Sequence, residues 1–561
     1  MKNTKRARRA AAFAAAVVMA ACAAVPMGSS FSASAEGTIS ISNTAADHTY
    51  EAYQIFDGDL ADGVLSNIQW GTGINPAKKT ELLAAIQEIK VGEETPFAAC
   101  TDAKSVAKVL SDANAAVDAD ITKQFASVVG QYLSDTHTDS KQDTGTYNID
   151  GLDDGYYLVK DKDDSLNGVN GVDDSKTRYI VQVLGKVTNV TPKSSKPEVI
   201  KKVKENTKTV ISTGQTFAGT ADYNVGTSYN DVADYCIGDA VPFKLYGTMP
   251  DTIDDYSKYK YVFHDTLGKE FNAPDKNDVK VYVDGNVAKN ANVEVSSDEN
   301  KSEITVTFDD IKAENKITKS SIVTVEYNAV LNSGAVIGLS GQENKVYLTY
   351  SNNPNWTGEG TPDDKGKTPE DKVIVFTYEL DTTKVDGIDN SIKLKDAKFK
   401  LSRKNSEDAD EYAKVADGKL TGWTTAVNEA TELVSGADGL FKVAGLDSGT
   451  YYLTETQAPS GYNTLTDSIK VELTATTANN QTWDEVADSA LTKLAVTADG
   501  TSGTVDANKG IGSITIANNK GSSLPSTGGI GTTMFYVGGG VLVAGAGVIL
   551  ITKKRAKKDA E

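Results

Sequence analysis

Alternating apolar and polar residues dominate the pattern along the middle of the chain, in short runs that turn-forming residues separate. Side chains on a strand point alternately to its two faces, so each run predicts a half-buried β-strand. Closely spaced strands of this kind are typical of a β-sandwich. Between residues 196 and 372 the runs are 241–246, 259–264, 279–283, 303–308, 322–331 and 346–350.

The same pattern returns after a linker at 352–371 that is rich in proline, glycine and aspartate. We therefore predict a further β domain over residues 373–520, which a terminal segment at 521–561 follows. The predicted strands of this domain are 373–384, 398–402, 439–443, 451–455, 468–473 and 512–517.

The first part of the folded chain, residues 36–195, mixes two periodicities. Helical spacing with capping Asp and Thr residues occurs at 80–89 and 103–132. Strand alternation surrounds these helices, at 37–42, 50–56, 145–160 and 178–190. The sequence thus predicts a mainly β chain of tandem β-sandwich domains, with helical insertions in the N-terminal domain.

Residues 1–35 have the features of a secretion signal. A positively charged start precedes an apolar, alanine-rich stretch at 10–27, and Ala33-Ser34-Ala35 supplies a small-residue cleavage site. Glu36 is therefore the predicted mature N-terminus. Cys22 within the apolar stretch offers a lipoprotein alternative, although the leucine usual in a lipobox is missing.

The opposite end of the chain has a more specific arrangement. A pentapeptide precedes an apolar stretch at 534–551, and a basic tail closes the chain. This order resembles a cell-wall sorting signal, which implies that a sortase cysteine attacks the Thr527 carbonyl, releases Gly528 and holds an acyl-enzyme until an amine arrives. The pentapeptide is Leu524, Pro525, Ser526, Thr527 and Gly528.

Composition narrows the class of protein further. The 561 residues carry a formal net charge of −20, which argues against nucleic-acid binding because that needs basic patches. If Cys22 leaves with the signal, only Cys100 and Cys236 remain, far apart in the sequence. A secreted chain of this kind is not stapled by disulfides and needs another way to resist its surroundings.

Three predicted strands of the last domain each continue an apolar face with a polar residue. Lys384 follows the Phe376, Tyr378 and Leu380 face, Glu455 follows Tyr451 and Leu453, and Asn518 follows Ile514 and Ile516. An unpaired charge is costly to bury, whereas burial favours a neutral amine and a protonated carboxyl. A protonated Glu455 could then polarise the Asn518 amide carbonyl while the Lys384 amine attacks it and expels ammonia, which leaves a neutral isopeptide bond. The alternative interpretation places these residues at strand ends in solvent.

Several segments of this domain resemble a known family. Residues 451–462 are similar to the E-box of CnaB-type domains, and Lys384-Val385-Asp386 and the 514–518 segment also match that type. Together with the sorting signal, the whole chain resembles the major (backbone) pilins of Gram-positive sortase-assembled pili, the SpaA-type fimbrial proteins. This resemblance implies tandem immunoglobulin-like, Cna-type sandwiches and a Lys384–Asn518 bond that Glu455 assists.

The resemblance also implies a Lys–Asn bond with an aspartate catalyst in the middle domain. Alternation places Lys201 on an apolar face of the opening strand and Asn344 on one of the last strand, and Asp239 shares a face with apolar neighbours. We therefore predict Lys201, Asn344 and Asp239 as the reacting set. The adjacent Lys202 is the alternative lysine, although alternation favours Lys201.

The segment Val190-Thr191-Pro192-Lys193 resembles the pilin motif, although Thr191 stands where the family usually has tyrosine. The resemblance implies that the Lys193 amine attacks the sortase-bound threonine of the next subunit. Lys186 and Lys196 are alternative lysines, and an ordinary solvated linker lysine is the simplest alternative.

The resulting hypothesis is a structural protein, a covalent pilus shaft subunit that is secreted and anchored to the cell wall. Its expected partners are identical subunits, pilus-type and housekeeping sortases, peptidoglycan and accessory pilins. We expect no metal, because neither the histidines nor the acidic loop at 161–174 has ligand spacing, and no cofactor. We also expect no turnover enzyme, because the sequence shows no nucleophile–base set. The rival hypothesis is a wall-anchored monomeric adhesin, which would need no pilin lysine.

Overall fold

The computed structural model describes residues 36–61, 64–113, 120–163, 165–166, 174–183, 186–192, 195–206, 228–356, 361–362, 366–478, 483, 486–521 and 530–558. The signal peptide prediction for residues 1–35 and the pentapeptide at 524–528 lie outside these residues, as does Lys193. The described chain forms three β units in sequence and one C-terminal helix. The prediction of a mainly β chain with helical insertions in its N-terminal unit is confirmed.

The N-terminal unit combines two sheets with three helices. One sheet has the strand order β5-β6-β1-β9 and the other β3-β2-β7-β8, with β4 beside β2. One core lies between the helices and the sheet that contains β2 and β7. A second core lies between that sheet and the one that contains β1 and β6. The elements are β1 Gly37–Ser42, β2 Tyr50–Ala61, β3 Val64–Trp70, α1 Lys79–Gln87, α2 Ala103–Asp112, α3 Asp120–Val129, β4 Thr138–Asp139, β5 Lys141–Asp143, β6 Thr146–Leu152, β7 Gly155–Asp161, β8 Arg178–Val183 and β9 Val187–Val190.

Local sequence explains where α2 begins. Asp102 and Ser105 form a capping box at its start, in which each side chain accepts a hydrogen bond from the backbone N–H of the other residue. The helical spacing predicted at 103–132 corresponds to two helices, α2 and α3, and residues 114–119 between them lie outside the described chain. Each of them turns its apolar face to the core, so both satisfy the periodicity on which the prediction rested.

The middle unit is a sandwich of two sheets. Their orders are β11-β10-β13-β20-β16-β17, with β15 beside β20, and β12-β23-β21-β14-β19-β18, with β22 beside β21. Alternating residues of both sheets fill the core between them. The strands are β10 Val199–Lys204, β11 Tyr229–Asn230, β12 Val232–Asp234, β13 Ala240–Thr248, β14 Tyr261–Gly268, β15 Phe271–Asn272, β16 Lys280–Val283, β17 Asn286–Val287, β18 Asn292–Ser297, β19 Lys301–Phe308, β20 Ile322–Leu331, β21 Gln342–Tyr350, β22 Gly366–Lys367 and β23 Asp371–Phe376.

The last unit begins later than the sequence predicts. Residues 373–384 were expected to form one strand, yet β23 pairs with β12 and β21 of the middle unit and a new strand starts after Thr377. The boundary between the two units therefore lies at Thr377 and not at 372–373. Phe376 consequently belongs to the middle unit. The prediction missed this boundary because an uninterrupted apolar pattern does not reveal that the chain changes sheets.

The last unit is one long sheet path that folds over its own core. Its order is β33-β32-β31-β30-β25-β26-β27-β29-β24-β35-β34, with β28 beside β25. The first strand, β24, lies parallel to the last long strand, β35. The elements are β24 Tyr378–Asp386, β25 Lys398–Lys404, β26 Asp410–Ala416, β27 Lys419–Thr424, β28 Leu433–Val434, β29 Leu440–Leu446, β30 Gly449–Gln457, β31 Ile469–Thr477, α4 Ala487–Ala490, β32 Leu491–Ala498, β33 Thr501–Ser502, β34 Thr504–Asp506 and β35 Ile511–Asn518.

The middle and last units are in close contact. The Arg403 guanidinium donates two hydrogen bonds to Asp239, of 3.0 and 2.9 Å, and lies 4.2 Å from the centre of the Trp423 ring. The backbone N–H of Ile237 donates to Gly445 O. These contacts and a shared apolar cluster join the two units.

The chain ends in the helix α5, Ile530–Lys558. Its stretch Thr533–Arg555 has a mean hydropathy of 2.1 and packs against nothing in the described chain, so by length and composition it can cross a membrane. This helix contains the predicted span at 534–551.

Candidate crosslinking sites

The first candidate site lies between the first and last long strands of the C-terminal unit. In the parallel pair β24–β35, Lys384 is opposite Ile516 and Asp386 is opposite Asn518. Glu455 reaches Asn518 from β30, because the sheet path folds over. Lys384 and Asn518 have no exposed surface and Glu455 is 5% exposed. The structure thus brings together the three residues predicted for this domain.

The Asn518 amide is held at its nitrogen. Nδ2 donates to Glu455 Oε1 and Oε2, at 3.0 and 2.9 Å, and to the backbone oxygen of Asn463 at 2.8 Å. Leu465 N–H holds the same carboxyl, at 2.8 Å from Oε2. Within the described chain the amide oxygen of Asn518 has no hydrogen-bond partner. Glu455 therefore contacts the amide nitrogen, the leaving atom of the proposed chemistry, and not the amide carbonyl that it was predicted to polarise.

The lysine of this site has a pKa that burial lowers. Lys384 Nζ donates to the backbone oxygen of Ile516 at 3.1 Å, two residues before Asn518 on β35. Burial lowers the pKa of Lys384 to about 8, against an opposing effect of the Glu455 charge. Roughly a tenth of this amine is therefore neutral at pH 7, far more than for an ordinary lysine.

Two contributors to this site were not predicted from the sequence. Asn463 and Leu465, which follow the E-box-like segment, contact the reacting groups through backbone atoms. Backbone contacts leave no side-chain pattern, so alternation could not have revealed them.

The second candidate site lies inside the middle sandwich. Lys201 is on β10 and Tyr327 on β20 of one sheet, whereas Asp265 on β14 and Asn344 on β21 come from the other. All four residues are buried, and Tyr327 is the most exposed of them at 3%. The site therefore bridges the two sheets.

Hydrogen bonds connect these four side chains through one hydroxyl. Lys201 Nζ donates to Asp265 Oδ2 and to Tyr327 Oη, the latter at 3.0 Å. The Tyr327 hydroxyl donates to Asp265 Oδ2 at 3.0 Å and accepts from Asn344 Nδ2 at 2.8 Å. Asp265 Oδ1 and Asn344 Oδ1 have no hydrogen-bond partner among the described residues.

Burial also favours neutral groups at this site. It lowers the pKa of Lys201 to about 8, and the nearby Asp265 charge opposes this. It raises the pKa of Asp265 above its ordinary value, although the Lys201 charge counteracts this. Both directions favour a proton on the acid and a free amine, the state that the chemistry requires.

The structure corrects one residue of the predicted middle site. Asp239 does not lie beside Lys201, because it precedes β13 and pairs with Arg403 in the contact between units. Asp265 occupies the place that was assigned to Asp239. The structure also separates the two candidate lysines, since Lys202 contacts Asp231 and lies apart from Asn344.

The acid that lies beside Lys201, Asp265, had a signal in the sequence. Tyr261, Phe263, Asp265 and Leu267 alternate along β14, and all have no exposed surface. The predicted strand at 259–264 ended one residue before Asp265, which hid an acid on an apolar face. Tyr327 has the same signal, between Val325 and Ala329 on β20.

Other predicted sites remain outside these clusters. Lys186 and Lys196 are both exposed. Cys100 and Cys236 are buried and free. Among the described residues, Glu51, His137 and Asp139 lie close enough to share a cation. Lys160 Nζ already lies 3.5 Å from the Glu51 carboxylate, and Lys162 Nζ lies 3.4 Å from that of Asp139.

Comparisons with known protein families match the last β unit and the C-terminal segment of the chain. Residues 378–486 match the SpaA family, described as a prealbumin-like fold domain, and this range contains Lys384 and Glu455. Residues 516–559 match the LPXTG cell wall anchor motif, which includes Asn518, the pentapeptide and α5. The predicted resemblance to SpaA-type proteins is confirmed, and the chain is a cell-wall-anchored surface protein.

One curated relative is the trypsin-resistant surface T6 protein of Streptococcus pyogenes serotype M6. It is 26% identical over 284 residues, which is 41% of this chain and 48% of the relative. The chain thus spans about half the length of the curated relative that it matches.

Solved structures with a similar arrangement include two pilins. The T6 backbone pilin of serotype M6 Streptococcus pyogenes has a TM-score of 0.47 at 17% identity, and the match covers 88% of this chain and 100% of that one. The full-length major pilin SpaD of Corynebacterium diphtheriae has a TM-score of 0.44 at 16% identity, over 87% and 98%.

Proposed function

We propose that this chain is the backbone subunit of a covalent surface pilus. A class C sortase would cleave after Thr527 and join it to Lys193 of a neighbouring subunit, and a housekeeping sortase would attach the finished fibre to peptidoglycan. The cell-wall anchor motif and the similarity to the surface T6 protein support this proposal. A head-to-tail contact that does not close on itself produces a filament.

The observation that carries the structural part of the proposal is the pair of buried lysine–acid–amide clusters. In the middle unit Lys201 on β10 and Asn344 on β21 would join the first long strand to one of the last long strands. In the C-terminal unit Lys384 on β24 and Asn518 on β35 would join the first long strand to the last. An unreacted ammonium in such a site would be expensive to bury. Formation of an isopeptide bond removes that cost, because it converts the amine and the amide into one neutral group.

The chemistry in the C-terminal unit needs no external reagent. The neutral Lys384 amine attacks Cγ of Asn518, while Glu455 gives a proton to the leaving Nδ2, with which it already shares hydrogen bonds. Glu455 then regains a proton from the attacking nitrogen as the C–N bond to Nδ2 breaks. One ammonia molecule leaves, and the carboxyl returns to its starting state. Each unit reacts once, so the protein is not a turnover enzyme.

The decisive experiment for the pilus is a blot of cell-wall extracts for a high-mass ladder. The Lys193→Arg variant keeps the charge but removes the nucleophile, because guanidinium does not deprotonate in proteins. We expect the ladder to disappear while monomer still reaches the wall through Thr527. Tandem mass spectra of wild-type fibres should show Thr527 joined to the Lys193 ε-amine.

Lys186→Arg and Lys196→Arg are matched controls, since both lysines are exposed and flank the same segment. A ladder that survives Lys193→Arg and disappears with one of these controls would move the junction to that lysine. The complete absence of a ladder in wild-type cells would favour the rival function, a wall-anchored monomeric adhesin.

A further inference from the structure

The hydroxyl of Tyr327 occupies the centre of the middle site. It lies 3.0 Å from Lys201 Nζ, 3.0 Å from Asp265 Oδ2 and 2.8 Å from Asn344 Nδ2. It thus contacts the attacking nitrogen, the acid and the leaving nitrogen at once. No other side chain of the described cluster contacts all three partners.

The acid of this site does not reach the amide directly. The Asn344 amide nitrogen bonds to Tyr327, and its oxygen bonds to no described residue. Asp265 meets Lys201 and Tyr327 through Oδ2, and its Oδ1 has no partner in the described chain. A proton that travels from Asp265 to the leaving nitrogen therefore has to pass through the Tyr327 hydroxyl.

We propose that Tyr327 is a catalytic residue of the middle crosslink, which relays a proton from Asp265 to the leaving nitrogen of Asn344. The inference rests on the proposed Lys201–Asn344 bond and names a further participant in it. A neutral hydroxyl suits the task, because it donates one hydrogen bond while it accepts others. Burial keeps Tyr327 neutral, since it raises the pKa of this phenol well above its ordinary value.

The proton balance of this relay closes within the four residues. The neutral Lys201 amine attacks Cγ of Asn344, and the amide nitrogen becomes a basic amine in the tetrahedral intermediate. Tyr327 gives its proton to that nitrogen and takes one from protonated Asp265. The Asp265 carboxylate then takes a proton from the attacking Nζ, which it contacts directly. The bond from Cγ to Nδ2 breaks, ammonia leaves, and both Tyr327 and Asp265 are restored.

The test is the intact mass of the purified full chain with Tyr327→Phe. This change keeps the ring, which packs 5.4 Å from Phe243, and removes only the hydroxyl. We expect the wild type to have lost two ammonia molecules and the variant to have lost one, with middle-domain bond formation at least about a hundredfold slower. Peptide mapping should find the Lys384–Asn518 crosslink in the variant and free Lys201 and Asn344.

Tyr259→Phe is the matched control. Tyr259 is fully buried in the same unit, and its hydroxyl bonds to no described residue. This variant should lose both ammonia molecules at the wild-type rate. If Tyr327→Phe also loses both at that rate, the relay is wrong while the crosslink stands. If the wild type loses neither, the proposed crosslinks themselves are wrong.

A double variant separates catalysis from folding. In a Lys201→Met background no middle bond can form, so the Tyr327 hydroxyl contributes only its hydrogen bonds to Asp265 and Asn344. We expect the additional Tyr327→Phe change to lower the melting temperature of Lys201→Met much less than that of the wild type, which also loses the covalent bond. An equal drop in both backgrounds would assign the hydroxyl a structural role and overturn the relay.

Discussion

The two candidate crosslinking sites assemble the same chemical groups on different frameworks. In the C-terminal unit the lysine and the amide lie on neighbouring parallel strands, β24 and β35. In the middle unit they lie on opposite sheets, β10 and β21. Glu455 contacts its amide directly, whereas Asp265 contacts its amide through Tyr327.

This difference follows from the reach of the two acids. Glutamate has one methylene group more than aspartate, and Glu455 spans the distance from β30 to Asn518. The shorter Asp265 reaches Lys201 but needs an intermediate hydroxyl to act on Asn344. The comparison teaches that the site is defined by a buried amine, acid and amide connected by hydrogen bonds, and not by one strand arrangement.

Removal of either lysine is expected to have the largest effect on stability. Each bond would close a loop of well over a hundred residues, for which the chain-entropy treatment of disulfides gives about 4–5 kcal/mol. Lys201→Met and Lys384→Met should each lower the free energy of unfolding of their own unit by about that amount. Denaturant unfolding measures the free energy of unfolding, and trypsin digestion shows which unit has become accessible. Unchanged protease resistance in both variants would contradict the crosslinks.

Replacement of the acids should slow each bond without removing the reacting groups. Glu455→Gln should block only the Lys384–Asn518 bond, and Asp265→Asn only the Lys201–Asn344 bond, with rates about 10²–10⁴ lower. Intact mass should show one retained ammonia molecule in each variant. Asp239→Asn is the matched control and should lose both. If Asp239→Asn retained one ammonia molecule, Asp239 would be the catalytic acid of the middle unit, as the sequence predicted.

Alkaline conditions should slow both bonds to a similar degree, which would sharpen the likeness between the sites. The reacting state has a neutral lysine and a protonated acid, so each site must hold one proton. Burial lowers the pKa of Lys201 and of Lys384 to about 8, and above that pH this proton is lost, so formation should slow about tenfold per pH unit. A chain translated in vitro, held denatured and then refolded between about pH 6 and 10 reports the rate as ammonia loss. A rate that rises steadily with pH across this range would exclude a protonated acid from the reaction.

The same pKa shifts affect the stability of the unreacted fold. Its lysines have a lower pKa than in the unfolded chain, where the ordinary value is 10.5. Between about 8 and 10.5 the unfolded chain therefore binds more protons, and the unreacted fold gains stability as the pH rises through that window. The gain should be absent from the crosslinked protein.

The contact between the two units should have the smallest effect. Arg403 and Asp239 are partly buried and form two hydrogen bonds. We expect a coupling free energy of about 1 kcal/mol from a double-mutant cycle with Arg403→Met and Asp239→Asn. Full additivity of the two changes would mean that this pair does not couple the units.

Alternation and family resemblance singled out the three side chains that the structure brings together in the C-terminal unit. Lys384, Glu455 and Asn518 each interrupt an apolar face, which is visible in any correctly bounded strand. The middle site was predicted only in its lysine and amide, because the strand that carries Asp265 was ended too early. Which acids and hydroxyls meet across two sheets depends on sheet packing, and one strand's pattern does not contain that information.

The domain boundary was missed for a related reason. Residues on either side of Thr377 are apolar and extended, so the sequence reads as one strand, although the chain passes from one sheet to another. Only the pairing partners distinguish these cases. The contacts of Asn463 and Leu465 with the C-terminal site were equally invisible, since any residue type presents the same backbone.

The pairing of β21 with β23 has a mechanical consequence. Asn344 is directly opposite Val373 in this antiparallel pair. In a fibre linked through Lys193, Lys201–Asn344, Lys384–Asn518 and Thr527, a pulling force would bypass residues 202–343 and 385–517. It would instead act on the open end of the β21–β23 hairpin and separate its hydrogen bonds one after another. The slack between Asn344 and Val373 would release roughly 100 Å of contour length per subunit, so the fibre would yield in steps of that size and shorten again when the load is removed.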